Sequence, residues 1–452
     1  MTPQIDQDIV IVGAGPKGAA LAAKAHVLNE LGVTSLRVRI LERAEVASHW
    51  TGRHGWTTGT ELLGTRAEKD IGFPYDSTGR FGSLGKEIDA RMRLFSWQSH
   101  LVDAGRYRGW VDAGQPRPTH RQFAAYLAWV LDRAVTGVRL QHAEVTAIRH
   151  GGGHWRLESR DADDGTPGST VCAGLVLTGH GVPNSLLHDP RVASRLITAA
   201  EPREHVRARD LGPGSRVCLV GAGESAASFA QFLWDTFGED IAVSVISPSL
   251  PRSRAESPAE DMVYSDPGTA GWTHLPEAQR REFINRTDRG VISPAAMTAL
   301  ARNTGLTYVM GRVRFVDLSP TGRARVIVDQ PDEVLREDCD LVVNCTGTSP
   351  LAQFRSLLDP ASAAEVEGRL AAPLADTGAL MREIDPSLAL RGLRPRLHVP
   401  ALAGLAQGPG FANLSSLGLL SDRVLGVYRH TRDTPPPTAR PAAAARPTWE
   451  HS

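Results

Sequence analysis

Gly13, Gly15 and Gly18, in the run D-I-V-I-V-G-A-G-P-K-G, carry the spacing G-x-G-x-x-G, and Gly221, Gly223 and Ala226 repeat it as G-x-G-x-x-A. Glycines so spaced permit a tight turn and let backbone N–H groups approach a pyrophosphate at a helix N-terminus. Each run is therefore a candidate dinucleotide seat. Glu42 stands about two dozen residues past the first run, where a ribose hydroxyl pair needs an acceptor. The second run has no such acid. Its following strand ends at Ser247 and leads into S-P-S-L-P-R-S-R-A-E, where Arg252 and Arg254 suit a 2′-phosphate and hence NADPH rather than NADH.

The elements that must hold these turns are legible around them. Apolar, mostly β-branched residues 9–12 predict a buried strand of a parallel sheet, 17–31 a helix stopped by Gly32, and 36–41 a second strand, completing a βαβ unit. Residues 212–246 repeat that order, and two such modules imply two nucleotides. Between 43 and 75 periodicity fades. A loop this long carrying Trp50 and Trp56 is expected to fold over a flat aromatic ring or into a core. Residues 88–134 predict amphipathic helices broken at Pro116 and Pro118, and strands follow at 138–157 and 174–178. The turn with Thr178, Gly179 and Pro183 marks a crossover out of the first domain. Residues 254–289 look irregular, and 338–350, ending in Thr346 and Gly347, look like the strand that returns the chain. A Gly/Pro loop then leads into a helix from near Leu414, whose N-terminus can face a ring. The expected division is 1–185 for the first part of one domain, with a helical excursion at 88–134, an inserted second domain at 186–337, a return at 338–432 and a disordered Pro/Ala-rich tail at 433–452. The fold class is α/β, with two Rossmann-like dinucleotide-binding domains and a small helical substrate-binding region.

Length and composition narrow the classes further. A chain of 452 residues exceeds one ordinary core, and 50 basic against 50 acidic residues offer no field for nucleic acid or a membrane surface. No apolar run approaches the ~20 residues of a membrane span. Cys172, Cys218, Cys339 and Cys345 show no C-x-x-C spacing and predict reduced core residues of a cytoplasmic protein, and no H-x-x-H or cysteine cluster suggests a metal. Only Lys17, Lys24, Lys69 and Lys86 are lysines. From the residues alone, Lys69 in E-K-D-I-G-F-P-Y is a solvated partner of Asp70, and Asp261 and Asp288 are surface carboxylates.

With both modules, the T-G crossover and the N-C-T-G-T strand in hand, the chain resembles the single-component flavin monooxygenases. Within them it is similar to the N-hydroxylating enzymes that act on the side-chain amine of lysine or ornithine in siderophore pathways, those of the mycobactin type above all. The likeness rests on G-A-G-P-K, E-K-D-I-G-F-P-Y, S-W-Q-S-H-L, R-P-T-H-R, S-D-P, R-T-D-R-G-V and Q-G-P-G-F-A-N-L-S-S-L-G-L-L-S-D-R-V, and spans about residues 8 to 430. It implies FAD on Gly13, Gly15, Pro16, Lys17, Gly18 and Glu42, with Trp50, Thr346 and Gly347 beside it. It places NADPH on Gly221, Gly223, Glu224 and Ser225, with Arg252 and Arg254 near its phosphate. Lys69 would grip the substrate's α-carboxylate, and Asn413, Leu414 and Ser415 would lie near the amine. Asp261 stands where relatives carry an asparagine for the carboxylate, and a carboxylate cannot donate to a carboxylate. Asp261 is then protonated or turned away, or the substrate offers a positive group there, as cadaverine or putrescine would. Asp288 replaces a second asparagine, as in lysine enzymes, which favours lysine over ornithine.

The same resemblance implies that NADPH reduces FAD, that O₂ adds to give a C4a-hydroperoxide, and that an uncharged amine attacks it. A free lysine amine has a pKa of about 10.4, so the pocket must desolvate that end. The expected partners are a small amine and O₂, and a homo-oligomer is expected. Rival readings are an N-hydroxylase of ornithine or of a diamine, another flavin oxygenation, and a non-catalytic redox-sensing flavoprotein. Disulfide reduction lacks a cysteine pair. A Baeyer–Villiger or sulfide oxygenase would carry F-x-G-x-x-x-H, of which only Glu204-His205 is present between the modules.

Overall fold

The computed structural model describes residues 6–254, 257–288 and 290–428. The tail expected at 433–452 lies outside them. The run Ile9–Val12 has no polar side chain to solvate and sits in the middle of a seven-stranded sheet. Across that sheet the strands run Arg396–His398, Gly174–Leu177, Ile9–Val12, Val38–Glu42, Val138–Gly151, His154–Asp161 and Pro167–Cys172. The first five are parallel, in register Ile9↔Val38 and Val10↔Leu175, and the last three form an antiparallel meander. Helix Pro16–Glu30 follows the glycine turn with proline in its first turn, where the missing N–H has no intrahelical partner to lose. It buries Leu21, Leu28 and its alanines against the sheet and against helix Leu417–Leu425.

The second unit is a five-stranded, wholly parallel sheet in the order Leu306–Met310, Ile241–Ser247, Ser215–Val220, Leu341–Asn344 and Leu196–Thr198. A three-stranded antiparallel sheet, Arg312–Leu318, Ala324–Asp329 and Val334–Cys339, packs Val316, Val326 and Cys339 onto Cys218 and Val342. The α/β class with two dinucleotide-type units is therefore present. The four cysteines are buried and unpaired, and among the described residues no helix is long and apolar enough to cross a membrane.

Three local expectations are corrected. Leu341–Asn344, assigned by sequence to the returning segment, is hydrogen-bonded in the second sheet, with Leu341↔Val217. A fully apolar four-residue run fits the interior of either parallel sheet, and only the long-range pairing decides. The chain returns just after it, where Thr348–Ser349 pairs antiparallel with Val182–Pro183 and joins the two crossovers. The stretch 254–289 is not irregular: it holds helices Pro258–Ser265 and Glu277–Thr287. The first is started by Ser257, whose side chain accepts from Glu260 N, with a proline at its N-terminus. Finally, the last helix begins at Leu417 rather than near Leu414, because Asn413 Oδ1 takes the Ser415 N–H at 2.9 Å and holds the chain in a turn.

Candidate active site

The glycine turns divide their labour. A Cβ on Gly13 would stand 2.6 Å from Thr178 Oγ1, and one on Gly18 2.4 Å from the Gly13 carbonyl oxygen, so these two serve close backbone packing. A Cβ on Gly15 would meet nothing within 4 Å. The second turn repeats this: Gly221, at φ +109°, would collide with the Cys345 carbonyl oxygen at 2.6 Å, whereas the nearest atom to a Cβ on Gly223 is Gly290 Cα at 3.7 Å. In both turns the middle glycine leaves open space at a helix N-terminus, which is where a phosphate is stabilised.

The two units enclose one cavity of about 880 Å³. From the first unit Gly13, Gly15, Pro16, Lys17, Glu42 and Trp50 line it, from the second Glu224, Ser225 and Arg254, and from the returning chain Gly347, Asn413, Leu414 and Ser415. Gly18, Gly221, Gly223, Thr346, Arg252, Lys69, Asp261 and Asp288 are not among its lining residues. Gly18, Gly221 and Gly223 shape the turns themselves. Thr346 caps the crossover: its hydroxyl donates to Asn344 Oδ1 at 2.7 Å and its carbonyl accepts from Asn184 Nδ2 at 3.0 Å. Arg252 is exposed and donates to the Asn285 carbonyl at 3.0 Å.

Several predicted residues spend their polar atoms on the protein. Glu42 accepts from Ala14 N at 2.9 Å and Ala44 N at 3.0 Å, fixing the glycine turn, and keeps its remaining lone pairs on the cavity wall. Glu224 accepts from Ser293 N at 2.7 Å and Ser293 Oγ at 2.9 Å. Trp50 stacks on His120 with ring centroids 5.4 Å apart. Arg254 differs: its Nε is buried with no partner among the described residues, on the cavity wall. Lys17 donates to the Ala412 carbonyl at 3.0 Å, tying the first glycine turn to the 412–415 loop. Burial pushes its pKa down to about 8, against the opposing pull of Asp288. Asn413 Nδ2 in turn donates to Asp288 Oδ1 at 3.3 Å.

Lys69 does not pair with Asp70. Asp70 turns inward, 2% exposed, and accepts from Tyr75 Oη at 2.7 Å and Trp97 N at 2.9 Å; burial pushes its pKa up to about 6. Lys69 instead donates to Oδ1 of Asp261, on helix Pro258–Ser265, at 2.8 Å.

Sequence reasoning missed a cluster on the cavity wall. His49, Trp56 and His180 pack with ring centroids 4.8 Å (His49–His180), 4.7 Å (Trp56–His180) and 5.4 Å (His49–Trp56) apart. Burial lowers His49 to about 3 and His180 to about 4, so both imidazoles are neutral at ordinary pH. Their only sequence signal was position, next to glycine, tryptophan and threonine in the two irregular segments H-W-T-G-R-H-G-W and T-G-H-G. The arrangement sets the first glycine turn and the start of the helix after the second on one chamber, with His49, Trp56 and His180 on its wall and Lys17, Glu42, Glu224 and Arg254 around it. It suits electron transfer between two bound nucleotides next to a sheltered small molecule.

A family model described as L-lysine 6-monooxygenase/L-ornithine 5-monooxygenase matches residues 91–334. L-lysine N6-monooxygenase MbtG of Mycobacterium sp. (strain MCS) is 40% identical over 429 residues, covering 93% of this chain and 94% of that protein. MbtG of Mycobacterium tuberculosis (strain ATCC 25618 / H37Rv) is 37% identical over 428 residues, with 93% and 94% covered. The solved structure of lysine monooxygenase NbtG from Nocardia farcinica superposes with a TM-score of 0.79 at 36% identity, over 92% of this chain and 99% of that one. The ornithine N-hydroxylase KtzI of Kutzneria sp. 744 shares the fold, with a TM-score of 0.73 at 20% identity over 93% and 98% of the two chains. On these matches the chain belongs to the L-lysine 6-monooxygenase/L-ornithine 5-monooxygenase family.

Proposed function

We propose that the protein hydroxylates the side-chain amine of L-lysine at N6, using NADPH, FAD and O₂, as a step towards a hydroxamate siderophore in the cytoplasm. The observation that carries this is one cavity lined both by the first glycine turn, at Gly13 and Gly15, and by Glu224 and Ser225, the first residues of the helix after the second turn. Open space at Gly15 and Gly223 and the Arg254 Nε, without a partner among the described residues, fit the phosphates of two dinucleotides. FAD would sit against Gly13–Gly18, Glu42 and Lys17, with Trp50, Thr346 and Gly347 around it. NADPH would sit against Gly221–Ser225, with Arg254, rather than the outward Arg252, at its phosphate. Bound FAD, once reduced by NADPH, supplies the activation of O₂ for oxygen transfer to nitrogen.

The chain's own residues contribute placement and dryness. Only the uncharged amine has a lone pair to offer, and burial against aromatic and neutral walls lowers an amine's pKa. His49 and His180, held neutral, add no charge to that wall. We assign Asn413, Leu414 and Ser415 to the amine end, with Asp288 behind Asn413, and Lys69 to the carboxylate end. We place the division between units near 185 and, given the pairing of Leu341–Asn344, near 347 on the return, and we propose a homo-oligomer.

The test offers purified protein NADPH with L-lysine, L-ornithine, cadaverine and putrescine in parallel and measures hydroxylamine and peroxide. L-lysine should stimulate NADPH oxidation with matching hydroxylamine. Peroxide alone with every amine would refute the proposal, and preference for ornithine or a diamine would reassign the substrate.

A further inference from the structure

Lys17 is a cation where the fold disfavours one. It is the second residue of helix Pro16–Glu30, at the end where the helix dipole opposes positive charge, and it lines the cavity. Among the described residues its Nζ has one hydrogen bond, to the Ala412 carbonyl 395 positions along the chain. That carbonyl precedes Asn413, Leu414 and Ser415, all three on the wall of the same cavity. The titratable groups whose charges bear on Lys17 are Asp288, which lies behind Asn413 and off the cavity wall, and His180, which burial keeps neutral. The acids that do line the cavity are Glu42, Glu61, Glu144 and Glu224. Glu42 accepts from Ala14 N and Ala44 N, Glu61 from Thr58 N and Ser228 Oγ, and Glu224 from Ser293 N and Oγ, while Glu144 lies 3.9 Å from Arg43. A cation thus stands beside the 412–415 loop, and the carboxylates of the cavity wall are engaged elsewhere.

We propose that the Lys17 ammonium, held on the Ala412 carbonyl, is the like charge that forces the entering amine to give up its proton and stay uncharged. This rests on the placement of the amine beside Asn413, Leu414 and Ser415 given under the proposed function. The amine of L-lysine and Lys17 Nζ are the same chemical group, a primary amine on a four-carbon stem with a free pKa of about 10.4. Surroundings alone decide which of them keeps its proton. Two ammonium groups at one end of a desolvated chamber repel, so the pair gives up one proton. Lys17 has a fixed carbonyl acceptor and the field of Asp288, and the newcomer has neither in place, so the newcomer loses it. R–NH₃⁺ becomes R–NH₂, no electrons change hands, and the proton passes to bulk water as the amine enters. Burial brings Lys17 down to about 8, which still leaves it mostly charged at neutral pH. Desolvation lowers the proton affinity of any buried amine; the cation adds to that at the end where the lone pair is needed.

The experiment uses FAD-saturated wild type, Lys17→Met and Lys17→Arg. L-lysine is titrated calorimetrically near neutral pH in buffers of different ionisation enthalpy, which counts the protons released on binding, with L-norleucine, which has no side-chain amine, as control. Wild type should release about one proton per L-lysine and Lys17→Met less than about half of one, while L-norleucine releases none from either. Lys17→Arg, whose guanidinium cannot shed its charge, should release as wild type does. At saturating L-lysine and about pH 7, kcat for hydroxylamine should fall about tenfold in Lys17→Met and recover as pH rises, and wild type should vary less over the same interval. A part played only in holding the loop would change neither the proton count nor the shape of the pH profile. Equal proton release in wild type and Lys17→Met, release on binding L-norleucine, or a wild-type pH profile in Lys17→Met overturns the inference. Should Lys17→Arg not take up FAD, the comparison of wild type with Lys17→Met still decides. Wild type that makes no hydroxylamine from any amine counts against the proposed function, whereas wild type that hydroxylates L-lysine yet binds it without releasing a proton overturns this inference alone.

Discussion

Gly15→Ala separates holding a cofactor from holding the fold. Gly15 has φ −79° and ψ −168°, an extended conformation any residue adopts, and a Cβ there meets nothing within 4 Å. Alanine reduces the freedom of the unfolded chain, which stabilises by about 0.4–1 kcal/mol, and is a poorer helix N-cap than glycine by a similar amount. The two offset, so the apo-protein should melt as wild type does. With FAD present the same methyl occupies the space at the helix N-terminus that a phosphate would take, and loss of one charge-assisted backbone contact is worth about 1.5–3 kcal/mol. That corresponds to a roughly 10- to 150-fold weaker FAD dissociation constant. Gly18→Ala is the counter-case, since its Cβ would lie 2.4 Å from the Gly13 carbonyl oxygen and must force helix and strand apart at a cost of about 1–3 kcal/mol. Flavin fluorescence quenching on titrating FAD into apo-protein, together with apo melting curves, reads both quantities. A Gly15→Ala protein that melts several degrees low, or that binds FAD as tightly as wild type, would show that the open space is not the phosphate seat.

Other substitutions probe the charges. Lys24 is 1% exposed, pairs with Asp422 at 2.5 Å and donates to Ser77, which also bonds Asp89, so Lys24→Met leaves two buried acids without a cation and should cost about 3–5 kcal/mol in urea unfolding. Burial raises the pKa of Asp422, so the folded state favours its protonated form and the contribution of Asp422 falls as pH rises; the Lys24→Met deficit should be larger at neutral than at acid pH, and an equal deficit at both contradicts it. Arg254→Ala should raise KM for NADPH about tenfold and leave that for NADH nearly unchanged; a parallel rise in both would place Arg254 away from the 2′-phosphate. Lys17, lowered by burial to about 8, loses its positive charge from about pH 7 to about pH 9, so wild-type FAD affinity should weaken across that interval while Lys17→Met shows a flat profile.

The parts of the fold that were legible are those dictated locally. A β-branched run, a glycine turn and a breaker-free helix need no distant partner to be recognised, and Ile9–Val12, Pro16–Glu30, Ser215–Val220 and Glu224–Phe237 stand where the pattern put them. What was lost depends on contacts across the chain. Leu341–Asn344 is apolar throughout, so nothing in it names its sheet. Asp70 was the obvious neighbour for Lys69, yet the turn that carries both points one inward and the other across to a helix. Glu42 was found at the expected spacing, but the turn it was expected to accompany consumes part of its accepting capacity. His49 and His180 lie 131 positions apart, and neither carries a mark that would bring them together.

The long loop after the first module shows why the join between the units belongs to the chemistry. It was expected to fold over a flat ring or into a core, and Trp56 packs against the core of the second unit while also lining the cavity. Its backbone is held from the second unit on both sides: Trp56 N donates to the Ala199 carbonyl at 3.0 Å, and Arg203, 3% exposed with its guanidinium 4.0 Å from the Phe229 ring, donates to the Trp56 carbonyl at 2.9 Å. Five residues on, Glu61 accepts from Ser228 Oγ at 2.6 Å. A loop of the first unit is thereby fastened to the helix that begins at the second glycine turn. An amine can be kept uncharged only where water is kept out, and here the wall that excludes it is built from both units. Loosening Arg203 should therefore cost coupling of NADPH oxidation to hydroxylamine before it costs binding of either nucleotide, because each turn is complete within its own unit and the sheltered chamber is not.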